Sequence, residues 1–150
     1  MCIRDSPKRE SVESLINSKG LFSFKESLEN RKECCSVRKI EPLKRALSTV
    51  DAWITGQRKS QSVTRASLEL VEEDKGNKIL KFNPLANWEY EQTQDYIAKN
   101  NLPYNKLYDL GYKSIGCAPC TRATKEGQDE RAGRWWWESS EQKECGLHLE

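Results

Sequence analysis

Apolar residues recur at helical spacing in the first third of the chain. One face of residues 8–18 is apolar, and Gly20 is a typical helix stop, so the pattern predicts a short helix there. The same reasoning predicts a second helix over residues 23–31 and a third over residues 42–47. These helices are short, and polar residues separate them.

The middle of the chain changes to runs that are typical of strands. The predicted strands are residues 52–55, 68–71 and 79–82. Residues 74–77 predict the turn between the last two. A helix over residues 88–99 follows, with Asn87 as the expected N-cap. Strands mixed with helices predict the α/β class.

Composition and charge narrow the class of protein. The 150 residues suffice for one domain, and 36% are hydrophobic while 32% are charged. A net charge of +2 predicts no nucleic-acid partner, and no apolar run approaches the ~20 residues of a membrane span. No export signal opens the chain, so the expected compartment is cytoplasmic. Residues 1–6 are unlike the rest and are set aside as a spurious, non-native end.

Six cysteines are the first unusual feature of the composition. In a chain without an export signal they indicate metal binding or catalysis rather than disulfides. Cys34-Cys35 and the pair Cys117/Cys120 supply four soft thiolates, which suit zinc or an iron–sulfur cluster. The tandem pair departs from the spaced pairs of structural zinc sites and favours a cluster. The alternative is that these cysteines bind nothing.

A second cysteine motif lies at the end of the chain. Cys145 is outside the four-cysteine set, and His148 is the only histidine. A thiolate beside an imidazolium or arginine is a candidate nucleophile. The alternative is a surface thiol with no role.

Basic residues form the third group of candidates. Arginine binds phosphate or sulfate through two donors, and lysine supplies a point charge. The alternatives are a solvated basic face, and a core or interface role for the three tryptophans at 135–137. The basic residues concerned are Lys39, Arg58, Arg65, Arg131 and Arg134.

Six segments together resemble the assimilatory adenylyl-sulfate reductases. They occur in a consistent order, and the resemblance extends roughly from Val12 to His148. The segments are ECCSVRKIEPL (33–43), TGQRKSQS (55–62), FNPL (82–85), GCAPCTR (116–122), RAGRWWWE (131–138) and KECGLH (143–148).

The resemblance implies an adenine-nucleotide-binding fold of the ATP-pyrophosphatase type. The Ser/Gly-rich phosphate loop that opens this fold is not found, so we expect the N-terminal part of the domain to be missing. Residues 7–134 are then the C-terminal part of the α/β reductase domain. Residues 135–150 are expected to be a mobile tail that carries the catalytic cysteine.

The resemblance also implies the roles of individual residues. Cys145 is the nucleophile, and a 4Fe–4S cluster is held by Cys34, Cys35, Cys117 and Cys120. The phosphosulfate of the substrate is contacted by Lys39, Arg65, Arg131, Arg134 and His148.

The implied reaction reduces adenosine 5′-phosphosulfate to sulfite and AMP through an S-sulfocysteine. Thioredoxin or a glutaredoxin-like dithiol is the implied reductant, because no second redox cysteine remains in the chain. One alternative substrate is 3′-phosphoadenosine 5′-phosphosulfate, alone or with dual specificity. A different class of protein, a zinc-stabilised basic-aromatic module that binds nucleic acid, also fits part of the pattern. The sequence leaves a homo-oligomer open.

Overall fold

The computed structural model describes residues 6–139 and 142–143, and within them the chain forms two compact units. The first unit contains the described residues up to Trp53 together with Glu72–Lys81. The second contains Ile54–Val71 and Phe82–Lys143, apart from the two undescribed positions. Cys145 and His148 lie outside the described residues.

The first helix, α1, spans Arg9–Lys19 and buries Leu15. Gly20 ends it with φ of 87°, a backbone conformation that glycine adopts without a steric penalty. The helix predicted over residues 8–18 is therefore confirmed with a shift of one residue. The helix predicted over residues 23–31 is wrong in its bounds, because Ser23–Lys25 forms only a 3₁₀ turn and Ser27 starts a new helix.

That new helix, α2, spans Leu28–Cys35, and its N-cap Ser27 accepts a hydrogen bond from the Asn30 amide. The chain continues without a break through a π-helical segment, Ser36–Ile40, into α3, Glu41–Leu47. Pro42 explains the wider turn, since a proline has no N–H to donate and its ring would clash with the carbonyl four residues earlier. The prediction of a helix over residues 42–47 is confirmed.

The sheet has three strands in the order β1-β3-β2, namely Ala52–Ile54, Val71–Asp74 and Ile79–Phe82 for β1, β2 and β3. The Leu80 amide donates to the Asp51 carbonyl, and the Thr55 amide donates to the Phe82 carbonyl. This pattern shows that β1 and β3 are parallel. A hairpin joins β2 to β3. The Asp74 side chain accepts from the Asn77 amide at 3.0 Å in its turn.

Two of the three predicted strands agree with the observed ones within one residue. The strand predicted over residues 68–71 is wrong by three positions, because β2 begins only at Val71. Leu68 instead packs as a buried side chain after a 3₁₀ turn over Val63–Arg65. An apolar run alone did not distinguish a core position in a loop from a strand.

Helix α4 spans Tyr90–Lys99 in the second unit. Its N-cap is Glu89 rather than the predicted Asn87, and Gln92 completes a capping box through the Glu89 amide at 2.8 Å. Trp88 packs edge-to-face on Tyr96 with ring centroids 5.3 Å apart. The helix ends at the predicted asparagines, and Asn101 adopts φ of 50°.

Helices and a small parallel-plus-hairpin sheet confirm the predicted α/β class. None of the helices in the described part of the chain is long and apolar enough to cross a membrane. The buried apolar side chains are few in each unit, and several polar and charged side chains are buried with them. The buried polar residues of the second unit lie in the loops that carry the candidate site.

Candidate functional site

Of the four cysteines predicted to bind metal, two lie in the first unit and two lie in the second. Cys34 and Cys35 are the last residues of α2, the first half-buried and the second buried. Cys117 and Cys120 flank a 3₁₀ turn, in which the Cys120 amide donates to the Cys117 carbonyl at 2.9 Å. None of these four is in a disulfide. Among residues 6–139 and 142–143, no group of three or more His, Cys, Asp or Glu side chains is arranged to hold a metal ion.

The turn at Cys117/Cys120 is joined directly to the arginine segment of the second unit. Thr121 and Arg134 form an antiparallel bridge. The Arg122 amide donates to Gly133 at 3.0 Å, and the Trp135 amide donates to Cys120 at 3.1 Å. The structure therefore brings together two sequence motifs that are more than ten residues apart.

The Arg134 side chain contacts Ile115, Gly116 and Trp135. Its Nη1 donates to the Ile115 carbonyl at 3.3 Å, and its guanidinium lies 4.5 Å from the centre of the Trp135 ring. It also rests directly on Gly116, where even a Cβ atom would meet the guanidinium. The side chain is buried, and it lies beside the residue that precedes Cys117.

Trp135 is part of the core rather than a surface platform. It is 1% exposed, and its φ of 37° is in the left-handed region that bulky side chains rarely adopt. Such strain costs on the order of 1–3 kcal/mol and persists where the surroundings enforce it. The core alternative for this tryptophan is confirmed.

Arg131 contacts Lys143, the first residue of the C-terminal segment 143–148. Its Nη2 donates to the Lys143 carbonyl at 2.5 Å, and the Lys143 ammonium donates to the Ala132 carbonyl at 3.3 Å. The Asp129 carboxylate accepts from the Arg131 amide at 2.8 Å and fixes the start of this segment. Cys145 follows Lys143 two positions later in the sequence.

The other predicted basic residues have different surroundings. Lys39 lies half-buried in the π-helical segment of the first unit. Arg65 is half-buried at the end of a 3₁₀ turn, and its Nη1 donates to Gln61 Oε1 at 2.5 Å. Arg58 is 4% exposed and is paired with Glu130 through one nitrogen that reaches both carboxylate oxygens, at 2.7 and 2.8 Å.

Burial of these arginines bears on the nucleic-acid alternative. A protein that binds a nucleic-acid backbone presents solvated lysines and arginines on one face. Here Arg58, Arg131 and Arg134 are all buried in the second unit. These three arginines therefore do not contribute to an exposed basic face of the kind that binds a nucleic-acid backbone.

Sequence reasoning missed the residues that hold the loops. Asn83 is fully buried, accepts a hydrogen bond from the Thr55 hydroxyl, and donates from Nδ2 to the Glu69 carbonyl at 2.8 Å. The Thr55 contact joins the segments at 55–62 and 82–85. The role of Glu130 as the partner of Arg58 was also not predicted. The signal in the sequence that could have indicated it is its position directly before Arg131.

The pKa of Tyr90 is raised above its ordinary value. Burial of the phenol is the larger cause, and the nearby negative charge of Glu130 adds to it. Both effects disfavour the phenolate. Tyr90 is therefore a neutral neighbour of the Arg58–Glu130 pair, with its ring centre 5.8 Å from the Arg58 guanidinium carbon.

Comparison with known proteins gives a consistent result. Residues 3–123 match the family described as phosphoadenosine phosphosulfate reductase domain. The chain is 53% identical to an adenosine 5′-phosphosulfate reductase of Neisseria meningitidis serogroup B over 97% of its length and 59% of the relative. It is 48% identical to one from Rhizobium tropici over 97% of its length and 81% of that protein.

A solved structure is also similar. It is the phosphoadenylyl-sulfate reductase from Candida auris in a phosphate complex, with 39% identity and a TM-score of 0.55. The similarity covers 71% of this chain and 50% of that one. The chain spans somewhat under six-tenths of the length of several of the curated relatives, so it corresponds to part of each.

Proposed function

Because the chain belongs to the phosphoadenosine phosphosulfate reductase family, we propose that the complete protein reduces adenosine 5′-phosphosulfate to sulfite and AMP. Curated relatives about half identical to it are named adenosine 5′-phosphosulfate reductases. The proposal concerns the complete protein, since this chain spans only part of most of these relatives.

One structural observation carries the proposal most directly. The hydrogen bond from Arg131 to the Lys143 carbonyl attaches the start of the segment that contains Cys145 to the arginine segment. Nucleophile and anion-binding groups must meet within a few ångströms for the reaction to occur. This attachment supports a role for Cys145 beside Arg131 and Arg134.

In the proposed first step the Cys145 thiolate attacks the sulfur of the sulfate group. A bond forms between the two sulfur atoms, the bond from sulfur to the bridging phosphate oxygen breaks, and AMP leaves with that electron pair. Cationic groups offset the charge on the substrate and on the leaving phosphate. We assign that role to Lys39, Arg65, Arg131, Arg134 and His148.

The proposed second step needs two electrons from an external dithiol. A thiolate of thioredoxin, or of a glutaredoxin-like protein, attacks the Cys145 sulfur of the S-sulfocysteine and releases sulfite. The resulting mixed disulfide is resolved by the second thiol of the reductant, which leaves as a disulfide. Cys145 returns as a thiolate, so the cycle is balanced.

The four remaining cysteines of the resemblance fit an iron–sulfur cluster by their chemistry. The thiols form two pairs close in the sequence, each with one buried and one half-buried member, and thiolates are the ligands such clusters require. We propose that Cys34, Cys35, Cys117 and Cys120 hold a 4Fe–4S cluster. When bound, the cluster would supply a fixed local charge distribution.

The deciding experiment is mass spectrometry of the complete enzyme after incubation with adenosine 5′-phosphosulfate and no reductant. We expect one sulfonate on the peptide that contains Cys145 and one AMP released per chain. Cys145→Ser is the matched control and should release none. Sulfonation of another cysteine, or AMP release without any adduct, would refute the assigned nucleophile.

The Candida auris relative favours a second candidate substrate, since it is named a phosphoadenylyl-sulfate reductase. We nevertheless propose a preference for the nucleotide without a 3′-phosphate, because the curated relatives with higher identity are named for it. A 3′-phosphate needs its own cationic contacts. The ratio of the kcat/KM values for the two nucleotides tests this substrate preference. A preference for the 3′-phosphorylated form would refute the choice of substrate and leave the proposed reaction of Cys145 unaffected.

A further inference from the structure

The Arg58–Glu130 ion pair is an unusual contact within the second unit. The two residues are 72 positions apart, and their side chains are only 5% and 12% exposed. One guanidinium nitrogen reaches both carboxylate oxygens, while Nη1 donates to the Ser60 hydroxyl at 3.2 Å. The positive charge of Arg58 is thus already matched by a carboxylate and is not offered to an anionic ligand.

Each end of this pair is attached to a candidate anion-binding residue. On the Arg58 side, Gln61 Oε1 accepts from the Arg58 amide at 3.2 Å and from the Arg65 guanidinium at 2.5 Å. On the other side, Glu130 directly precedes Arg131 in the segment that also carries Arg134. The pair therefore joins the loop of Arg65 to the segment of Arg131.

The burial of the pair makes this connection stiff. The cost of leaving a buried charge without its partner is much larger than the net gain of forming the pair, so the two groups stay together. The Tyr90 ring lies beside the Arg58 guanidinium and helps to exclude water. A stiff connection between two loops fixes the separation of the groups that they carry.

On the basis of the proposed function, we propose that Arg58 and Glu130 are positioning residues. They do not contact the phosphosulfate, but they set the position of Arg65 relative to Arg131 and Arg134, which do. A displacement of about 1 Å in a binding group can cost on the order of 100-fold in rate. Loss of the pair should therefore weaken anion binding and catalysis beyond its effect on stability.

The test uses Glu130→Gln in the complete enzyme, which keeps the shape of the side chain and removes its charge. The chain offers a matched control in Lys81–Glu72, a second buried ion pair with a 2.5 Å contact and side chains 7% and 19% exposed. This pair lies on the hairpin of the first unit and has no assigned role in binding. Glu72→Gln therefore makes the same chemical change elsewhere.

Two readouts are measured well below the melting temperature of each variant: kcat/KM for adenosine 5′-phosphosulfate, and the calorimetric Kd for inorganic phosphate. We expect Glu130→Gln to lower kcat/KM at least tenfold and to raise the phosphate Kd by a similar factor. Glu72→Gln should lower the melting temperature but keep both values within about twofold. Arg58→Lys retains the charge and loses the two-oxygen contact, so an intermediate loss is expected.

Losses in Glu130→Gln that are no larger than those in Glu72→Gln would overturn the inference. If Glu130→Gln does not fold, Arg58→Lys is judged against Glu72→Gln in the same way. A wild-type enzyme that forms no sulfite would refute the proposed function. The positioning inference is then decided by the phosphate Kd values alone.

Discussion

Gly116→Ala moves the Arg134 guanidinium without removing its charge. A Cβ atom at this position would lie 2.6 Å from Nε of Arg134 and closer still to two other guanidinium atoms. Ordinary contacts between such atoms are about 3.5–4.0 Å, so the guanidinium must shift by about 1 Å. It is the far end of a flexible side chain, and it will move before the backbone does.

The expected cost divides into a modest loss of stability and a larger loss of activity. The shift weakens the hydrogen bond to the Ile115 carbonyl and the stacking on Trp135. Each contact contributes about 0.5–1.5 kcal/mol, so we expect about 1–2 kcal/mol less free energy of unfolding. In the complete enzyme, a displacement of about 1 Å in Arg134 should lower kcat/KM by roughly 10- to 100-fold.

Two other glycines of the same unit are controls for this substitution. A Cβ atom added at Gly56 would have no other atom within 4 Å, so Gly56→Ala should leave activity and stability unchanged. At Gly133 the same Cβ would collide with the backbone carbonyl of Arg122, so Gly133→Ala should destabilise the bridge between Thr121 and Arg134. Steady-state kinetics and thermal unfolding are measured on all three. Activity of Gly116→Ala equal to that of Gly56→Ala would refute the importance of the Arg134 position.

Three further predictions concern stability and the cluster. Asn83→Ala leaves the Thr55 hydroxyl and the Glu69 carbonyl without this partner, and we expect denaturant unfolding to show a loss of about 2–4 kcal/mol. Because the pKa of Tyr90 is raised, its contribution to stability is complete below about pH 10 and is lost as the pH rises through the folded-state pKa. Tyr90→Phe should make unfolding less pH-dependent there, and an unchanged slope would argue against the shift. The complete enzyme, purified without oxygen, should contain about four irons per chain. Replacing any one of the four cysteines proposed to bind the cluster by serine should remove the iron and the colour of the enzyme. The iron content of Cys145→Ser should be unchanged. A preparation that contains zinc and no sulfide would contradict the cluster.

Local sequence patterns predicted the local structure well where one signal dominated. The helix that ends at Gly20 and the turn that begins at Asp74 follow from backbone and side-chain chemistry within a few residues. Predictions failed where two signals competed. Glu89 displaced Asn87 as the cap of α4 because Gln92 completes a capping box, and the π-helical segment before Pro42 has no periodicity of its own.

The candidate site was predictable as a set of residues but not as an arrangement. Its segments resembled a known family, and comparison with known proteins confirmed the family. The roles of Cys145, His148 and the cluster cysteines stay predictions. From the sequence, Arg58 was also a candidate for binding the anionic substrate, together with the other basic residues.

Only the tertiary structure decided which partners the arginines contact. Arg58 meets a carboxylate 72 positions away, and Arg134 rests on a glycine in another loop. Such pairings are chosen by burial, since an enclosed charge must find a partner that no local pattern specifies. The sequence by itself therefore determined the family, the α/β class and the chemistry of the side chains. The positions of the arginines came from contacts between distant segments, because those contacts exist only once the chain has folded.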